Sequence, residues 1–368
     1  MDGTDVRAHL EAWLRRQLPD APDTRVEGLE RVEFGYSAEM LILTLVQGRD
    51  GSEQRQDVVV RLRPTPPGLL EPYDLQRQFD IQRALEPTPV RAPRVLWAEQ
   101  TGNVLGRPFY VMERLAGTVY ESVVPPELSA SPERVQRMSE GILDQVAAIH
   151  QVDLRATGLD ALGDGRHYLD QELERWADNM HRWQRDTLPR LERLLAELRA
   201  RQPAPCPTVT LIHGDPKPGN FAFVGDEVTG VFDWELAGVG DPLADIGWME
   251  LAWKLTPVFR GLPASHFDDL ILRYQALTGI TVEHRPWYRA FQAFKMSVIL
   301  LVGAMLVDRG ISNDVRIAQA AQGVPAVSGM GLREFGVTEK IPSGPVAARE
   351  ERIREASATA DDRSGATI

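Results

Sequence analysis

The sequence contains a single cysteine, Cys206, in 368 residues. One cysteine excludes an intramolecular disulfide framework, as is typical of proteins from a reducing compartment. The first twenty residues also show no basic segment followed by an apolar one, the pattern of a secretory signal. We therefore expect a cytoplasmic protein.

Long hydrophobic runs are equally scarce. The longest apolar stretch, SVILLVGAMLV at 297–307, is too short to cross a bilayer and instead favours a buried helix. Basic residues are also in deficit, with 41 Lys and Arg against 53 Asp and Glu and a formal net charge of −12. Nucleic-acid backbones are bound by clustered Lys and Arg. We therefore expect neither a membrane nor a nucleic-acid partner.

Hydrophobic residues make up 43% of the chain, so a sizeable core can form. The periodicity of the first 115 residues predicts a small sheet with a helix packed on it. The predicted elements are a helix at 5–18, a hairpin of strands 39–47 and 56–64 joined by GRDGSE, a helix at 69–86, and strands at 94–99 and 108–114.

From about residue 118 the pattern becomes helical. Ser131 followed by Pro132 is typical of a helix cap and first helical residue. The segment 170–202 predicts two helices divided near Pro189, and helices resume from 241 to about 322. Beyond Gly323 we expect the chain to lose apolar content and to end in a polar, flexible tail at 341–368.

The stretch LIHGDPKPGNFAF (211–223) places several polar residues between two apolar runs. The runs NFAFV and VTGVFDWE flank Gly225-Asp226, which predicts a hairpin. With that two-residue loop, Asn220 opposes Val231, and Asp233 lies on the same strand face as a diagonal neighbour.

The predicted pair of side chains indicates a metal site. An amide oxygen from Asn220 and a carboxylate from Asp233 suit Mg²⁺ with bound phosphates. Asp215 lies at the same end of the hairpin as a candidate base, while the alternative is a hairpin with solvated ends.

The segment HGDPKPGN…FDWE (213–235) resembles the catalytic loop and metal-binding strand of aminoglycoside phosphotransferase-like (choline kinase-type) small-molecule kinases. RPFYVMERLAG and WELAGVGDPLAD are similar to the branch linked to acyl-CoA dehydrogenases. The resemblance implies an α+β, protein-kinase-like two-lobe fold. An ATP-binding lobe would span 1–115, with an antiparallel sheet plus helix, and a mostly helical catalytic and substrate lobe would span 116–340.

The resemblance also implies roles for single residues. Asp215 would orient and deprotonate the acceptor hydroxyl, and Lys217 would offset the charge of the transferring phosphoryl group. Asn220 and Asp233 would hold Mg²⁺ across the ATP phosphates. Asp245, in GDPLADIGWM, would brace the catalytic loop, and we expect a structural role for His213.

On the ATP side, FGYSAEM (34–40) takes the place of the phosphate loop, so Gly35 and Ser37 would contact phosphate. Arg61 stands where kinases keep the strand lysine that binds the α- and β-phosphates. Its usual partner is a glutamate on the following helix, but the aligned residue is Gln78. Either Gln78 hydrogen-bonds Arg61, or Arg61 is paired differently.

The segment YVMERLAG (110–117) resembles the hinge that holds adenine. Met112 would line the adenine pocket or simply pack in the core. Backbone groups of Glu113 and Leu115 would hydrogen-bond the adenine edge.

These features predict an ATP- and Mg²⁺-dependent phosphotransferase acting on a hydroxyl of a small organic molecule, as a monomer or homodimer. An antibiotic of the aminoglycoside or macrolide type and a hydroxyacyl-type metabolite are both open as acceptors. The alternatives are a kinase-fold nucleotide-binding protein with little or no catalysis and a protein kinase. The protein kinase is disfavoured because Gly214 replaces the arginine of the H-R-D pattern.

Overall fold

The computed structural model describes residues 3–32, 39–49, 52–120, 125–259, 262–263, 265–312, 314, 317 and 322–342. The chain forms two compact units. Unit 1 comprises residues 1–161 and 218–237, and unit 2 comprises residues 162–217 and 238–368. The predicted lobe ranges 1–115 and 116–340 stay a prediction, and residues 343–368 of the predicted tail lie outside the described residues.

Strands prevail in the early part of the described chain, and helices prevail after it. The strands are β1 (Arg25–Val32), β2 (Glu39–Arg49), β3 (Ser52–Leu62), β4 (Val95–Glu99), β5 (Phe109–Glu113), β6 (Thr118–Val119), β7 (Thr210–Ile212), β8 (Phe221–Val224), β9 (Glu227–Val231) and β10 (Gly238–Gly240). The helices are α1 (Gly3–Gln17), α2 (Leu75–Leu85), α3 (Pro126–Ser129), α4 (Pro132–His150), α5 (Leu154–Thr157), α6 (Tyr168–Trp183), α7 (Pro189–Ala200), α8 (Leu243–Leu255), α9 (Ser265–Thr278), α10 (Arg285–Asp308) and α11 (Val324–Glu334).

Unit 1 contains an antiparallel sheet of order β1-β2-β3-β5-β4, which confirms the predicted sheet. The hairpin β2–β3 pairs from Glu39↔Leu62 to Arg49↔Ser52, so its strands extend into the segment predicted as a connector. Gly48 pairs with Glu53 and Arg49 with Ser52, so ladder pairing here overrides the poor strand propensity of glycine and charged residues.

Both faces of this sheet are covered. Val58 and Val60 of β3 pack in one cluster with Leu10 and Leu14 of α1, whereas Val59 packs in a second cluster with α2. Side chains alternate along a strand, so Arg61 lies on the α2 face together with Val59. Each fully buried Val or Leu stabilises the fold by about 1.5–3 kcal/mol.

Helix α2 begins at Leu75 rather than at the predicted residue 69. The Asp74 side chain caps it by accepting a hydrogen bond from the Arg77 amide at 2.9 Å. Pro72 disfavours helical geometry at Glu71, and the Glu71 carboxylate instead accepts from the amides of Gly68 and Tyr73 at 3.0 Å each. The segment before Asp74 is therefore a loop.

Helix α4 begins at Pro132 as predicted, but the side chain of Ser131 makes no capping hydrogen bond. Ser131 at the N-cap position and the proline at the first helical position are confirmed, although the serine side chain does not cap the helix. The backbone carbonyl of Ser131 instead accepts the first helical bonds from the amides of Arg134 and Val135.

Unit 2 is mostly helical, and its two short strands β7 and β10 pair antiparallel. The predicted division near Pro189 is confirmed, since α6 ends at Trp183 and α7 begins at Pro189. Helix α11 corrects the expectation that apolar content is lost beyond Gly323, because its Val324, Val327 and Leu332 are buried. Small residues separate these three apolar positions, so the apolar pattern is hard to see in the sequence. The same small residues allow close packing, since a Cβ on Gly331 would lie 2.8 Å from the Leu194 side chain.

The apolar stretch 297–307 lies within α10, which confirms the predicted buried helix. Among the described residues, α10 alone is long and apolar enough to cross a membrane by length and composition, and 83% of its most apolar window is buried inside the fold. Packing within unit 2 accounts for that apolar composition.

Candidate active site

The hairpin β8–β9 carries two of the predicted site residues. Its loop is Gly225-Asp226, and Val224 pairs with Glu227, as predicted. Further along, Ala222 pairs with Gly230 and Phe223 with Val228, so Thr229 is an extra residue on β9. Phe221 therefore pairs with Val231, and the predicted pairing of Asn220 with Val231 is wrong by one residue.

Beyond this bulge, Asn220 and Asp233 still lie at the same end of the hairpin. The Phe232 amide donates to the Asn220 carbonyl at 2.8 Å. Asp233 then leaves the strand in the left-handed region, with φ 68° and ψ 60°, a conformation uncommon for residues other than glycine. The approach of the two side-chain oxygens to one another stays a prediction.

The chemistry of this pair fits Mg²⁺, because one carboxylate and one amide oxygen are hard donors. Asn220 is buried, and the Asp233 side chain is 21% exposed. Within the described part of the chain, no group of three or more His, Cys, Asp and Glu side chains could hold a metal ion. An ion held at this pair would therefore complete its shell with phosphate and water oxygens.

Arg61 binds two carboxylates in unit 1. Its Nη2 donates to Asp233 Oδ1 at 2.7 Å and to Glu235 Oε2 at 3.2 Å. Nε and Nη2 also donate to the Tyr73 hydroxyl at 3.2 and 3.0 Å. Burial raises the pKa of Tyr73 to about 12, so its hydroxyl keeps its proton at neutral pH. A buried guanidinium needs such partners because its charge is costly to desolvate.

These contacts show which groups pair with Arg61 in place of the usual glutamate on α2. Gln78 is buried on α2, while the carboxylates come from Asp233 and Glu235. Helix α2 contributes Arg77, whose Nη2 donates to the Glu235 carbonyl at 3.0 Å. Sequence reasoning missed Glu235. The available signal was an acid two residues after Asp233, combined with glutamine at the α2 position that usually supplies the acid.

Residues 213–217 of the predicted catalytic loop lie in unit 2 and are braced by α8. The buried carboxylate of Asp245 accepts from the amides of His213 and Gly214 at 2.7 and 2.8 Å, which confirms the predicted brace. Gly214 has φ 82°, the left-handed region that glycine adopts without strain.

The same loop brings Asp215 and Lys217 together. The Asp215 amide donates to His213 Nδ1 at 3.2 Å, so the fully buried His213 has the predicted structural role. The Lys217 amide donates to the Asp215 carbonyl at 2.8 Å, and Lys217 Nζ lies 3.9 Å from Asp215 Oδ2. Asp215 is largely buried and Lys217 is partly exposed, and their catalytic roles stay predictions.

The other predicted nucleotide contacts lie in unit 1. Gly35 and Ser37 fall outside the described residues. Met112 is buried in the cluster shared by β5 and α2, so it packs in the core whether or not it also lines an adenine pocket. The Glu113 amide donates to the Arg94 carbonyl at 2.9 Å, which restricts the predicted Glu113 contact to its carbonyl oxygen. The Leu115 contact stays a prediction.

A model of the APH phosphotransferase enzyme family matches residues 29–279, more than half of the chain. The chain therefore belongs to the phosphotransferase enzyme family, which confirms the resemblance seen at residues 213–249. Family and fold together support a kinase-type transferase.

Individual relatives agree with this assignment. Acyl-CoA dehydrogenase family member 10 of Mus musculus is 32% identical over 255 residues, covering 65% of this chain and 24% of that protein. Family member 11 of Rattus norvegicus is 29% identical over 319 residues, covering 80% of this chain and 38% of that protein. The chain thus spans about a quarter to two fifths of the curated relatives it matches.

Solved structures confirm the protein-kinase-like fold. A Ralstonia eutropha protein, provisionally assigned as an aminoglycoside phosphotransferase, has a TM-score of 0.70 and 25% identity, and the match covers 90% of this chain and 99% of that one. A macrolide 2′-phosphotransferase from Brachybacterium faecium has a TM-score of 0.52 and 19% identity, covering 90% and 99%. The second likeness concerns the fold alone.

Proposed function

We propose that this protein is an ATP- and Mg²⁺-dependent O-phosphotransferase that moves the γ-phosphate of ATP to a hydroxyl group of a small organic molecule. The observation that supports this most is the catalytic loop. Asp245 holds two of its amides, and the Asp215 carboxylate lies 3.9 Å from the Lys217 ammonium. A carboxylate and a cation held so close suit proton acceptance beside a transferring phosphate.

In the proposed reaction, Asp215 orients the acceptor hydroxyl and takes its proton. The hydroxyl oxygen forms a bond to the γ-phosphorus, the bond to the bridging oxygen breaks, and ADP leaves. Lys217 offsets charge on the transferring phosphoryl group. Mg²⁺, when bound, neutralises phosphate charge, and Asn220 and Asp233 would hold it.

Arg61 is assigned to the ATP phosphates. The guanidinium has five N–H donors, and the bonds to Tyr73, Asp233 and Glu235 are made by Nε and Nη2. We assign the phosphate contact to Nη1. The alternative of a non-catalytic nucleotide-binding protein rests on glutamine at position 78 and on a phosphate loop with Gly35 as its one glycine. The carboxylate partners of Arg61 weaken the first of these two arguments.

Asp215→Asn tests the proposed base. The variant should lose about 10²- to 10⁴-fold in turnover, while the rise in Tm caused by ATP and Mg²⁺ should persist, since binding stabilises the folded state whether or not phosphate is transferred. Asp186→Asn, at an exposed residue between α6 and α7, is the matched control. An Asp215→Asn enzyme that keeps most of its turnover contradicts the assignment, and ATP binding without turnover on any acceptor favours the binding protein.

For the acceptor we favour a hydroxyacyl-type compound over an antibiotic. The reason is that the relatives at 32% and 29% identity are named acyl-CoA dehydrogenase family members, whereas the macrolide kinase shares only the fold. ADP release should be measured with a hydroxyacyl compound, the same compound lacking the hydroxyl, an aminoglycoside and a macrolide. Turnover that requires the hydroxyl supports the proposal, and faster turnover of either antibiotic opposes it.

A further inference from the structure

Lys295 of α10 is a buried cation that contacts the catalytic loop. It is 1% exposed, and its Nζ donates to the Gly214 carbonyl at 2.6 Å. Lysine is almost never fully buried without partners, because its ammonium loses hydration. A charge kept at this position therefore calls for a reason beyond packing.

The surroundings of Lys295 are suited to hold its charge. Nζ lies 4.6 Å from the ring centroid of Trp248 on α8 and 5.8 Å from that of Trp176 on α6, within cation–π range. The charged groups that act on the ammonium are Glu172 and Arg175 of α6, Asp215 of the loop and Asp245 of α8. Lys295 thus connects three helices of unit 2 to the loop.

Lys295 acts on the peptide group that precedes Asp215. The carbonyl of Gly214 and the amide of Asp215 belong to one plane, because the peptide bond does not rotate. Lys295 holds the oxygen of this plane at 2.6 Å, and His213 Nδ1 accepts from its N–H at 3.2 Å. Rotation of the plane would break both hydrogen bonds and change the ψ angle of Gly214 and the φ angle of Asp215.

We propose that Lys295 is a positioning residue for the catalytic loop, whose ammonium fixes the Gly214–Asp215 peptide and supplies positive charge beside the Asp215 carboxylate. The inference rests on the proposed function, in which Asp215 accepts the proton of the acceptor hydroxyl.

The proposal has a consequence for the pH dependence of turnover. Burial lowers the pKa of Lys295 to about 8. The lowering is opposed by the carboxylates of Glu172, Asp215 and Asp245 and increased by the guanidinium of Arg175. The ammonium is therefore present below about pH 8 and lost above it. Turnover of the wild type should fall on the alkaline side with a midpoint near 8, in kcat more than in the KM for ATP.

Three variants separate charge from packing. Lys295→Met removes both the charge and the donor, Lys295→Arg keeps both but does not deprotonate, and Lys340→Met makes the same change at an exposed lysine. Turnover is measured with ATP, Mg²⁺ and the acceptor that gives the fastest turnover, or with water as the acceptor. Under these conditions kcat of Lys295→Met should be about tenfold to a hundredfold below that of the wild type. Its KM for ATP should stay within about threefold of the wild-type value. Lys295→Arg, if it folds, should lack the alkaline decrease.

Two measurements do not need turnover. Tryptophan fluorescence of the wild type should change with a midpoint near pH 8, because a protonated amine beside the Trp248 ring quenches it, and Lys295→Met should lack this step. Hydrogen exchange at amides 211–217 should be faster in Lys295→Met than in Lys340→Met, because the peptide plane is no longer held.

The outcomes distinguish the two proposals. A wild type that turns over no ATP counts against the proposed function alone, and the fluorescence and exchange results then decide the role of Lys295. The positioning role is overturned if the amides 211–217 exchange as slowly in Lys295→Met as in Lys340→Met. It is also overturned if Lys295→Met keeps the fluorescence change near pH 8. A normal kcat and an unchanged alkaline decrease in Lys295→Met also overturn it.

Discussion

At the residue scale, Arg61 shows how a buried charge selects its partners. Its guanidinium is 5% exposed, so acids must lie within reach or the charge would be very costly. When α2 offers Gln78, the acids come from Asp233 and Glu235. The role of an ion pair can thus be kept while the position that supplies its acid changes.

Glu235→Gln tests this pairing. Breaking a buried ion pair costs about 3–5 kcal/mol. Because Asp233 and the Tyr73 hydroxyl still bind Arg61 in this variant, we expect a smaller loss of about 2 kcal/mol in the free energy of unfolding. We also expect weaker ATP binding. Urea unfolding and the KM for ATP report the two effects.

The matched control for this prediction is Glu174→Gln. The Glu174–Arg199 pair is exposed on both sides, at 57% and 47%, and such pairs contribute about 0–1 kcal/mol. If Glu235→Gln is as mild as this control, Glu235 does not hold Arg61.

Lys295 gives a pH-dependent prediction for stability. Its folded pKa of about 8 lies below the ordinary 10.5, so between these values the unfolded chain binds a proton that the folded chain has released. Stability of the wild type, relative to Lys295→Met, should therefore rise with pH through this window, by about 3 kcal/mol in full. Urea unfolding of both proteins at about pH 7.5 and about pH 10 measures the difference, and an unchanged difference contradicts the lowered pKa.

The site residues differ in how far the sequence could predict them. The loop length and polar spacing, which are local features, placed Asn220 and Asp233 at one end of a hairpin with Asp215 at the same end. The brace by Asp245 followed only from the resemblance to the family. Glu235 and Lys295 were missed, because their contacts, with Arg61 and Gly214, join residues far apart in the chain. Periodicity carries no information on such pairs.

At the element scale, local patterns predicted the elements better than their ends. Strand alternation gave the sheet of unit 1, but the Thr229 bulge shifted the β8–β9 register by one residue. A bulge leaves no mark in the alternation of so short a strand, since only packing decides which residue is left unpaired. Helix α2 started late for a reason present in the sequence, the combination of Pro72 and Asp74.

The turn at Gly214 gives a prediction for the loop. An alanine at φ 82° costs about 1–2 kcal/mol. It should also disturb the hydrogen bonds that the Gly214 amide donates to Asp245 and that the Gly214 carbonyl accepts from Lys295. Gly214→Ala should therefore lower both Tm and kcat, the latter about tenfold or more.

Gly158→Ala is the control for that loop variant. Gly158 ends α5 with φ 74°, and an added Cβ would meet no atom within 4 Å. It should show a similar loss of Tm with normal kcat. Equal kcat in the two variants would mean that the Gly214 backbone does not set turnover.

At the scale of the whole molecule, the motif at 213–249 made the family and the kinase-like fold predictable. The residue ranges of the two units were not predictable, because residues 218–237 return to unit 1 after a long helical segment. Hairpin β8–β9 packs there with α4, through ion pairs from Arg134 and Arg137 to Asp226 at 2.7 Å each. Chain order carries no information on such a return.

The net charge of −12 gives the last prediction, which separates acceptors of opposite charge. At about 0.01 M salt the screening length is about 30 Å and at about 0.1 M about 10 Å, so an acidic protein attracts cations and repels anions mainly at low salt. With ATP saturating, kcat/KM for an anionic hydroxyacyl acceptor should rise about twofold to tenfold over this range, whereas a cationic aminoglycoside should show the opposite slope. A flat response for both would show that the surface charge does not influence acceptor binding, and that the acceptor is selected by short-range contacts.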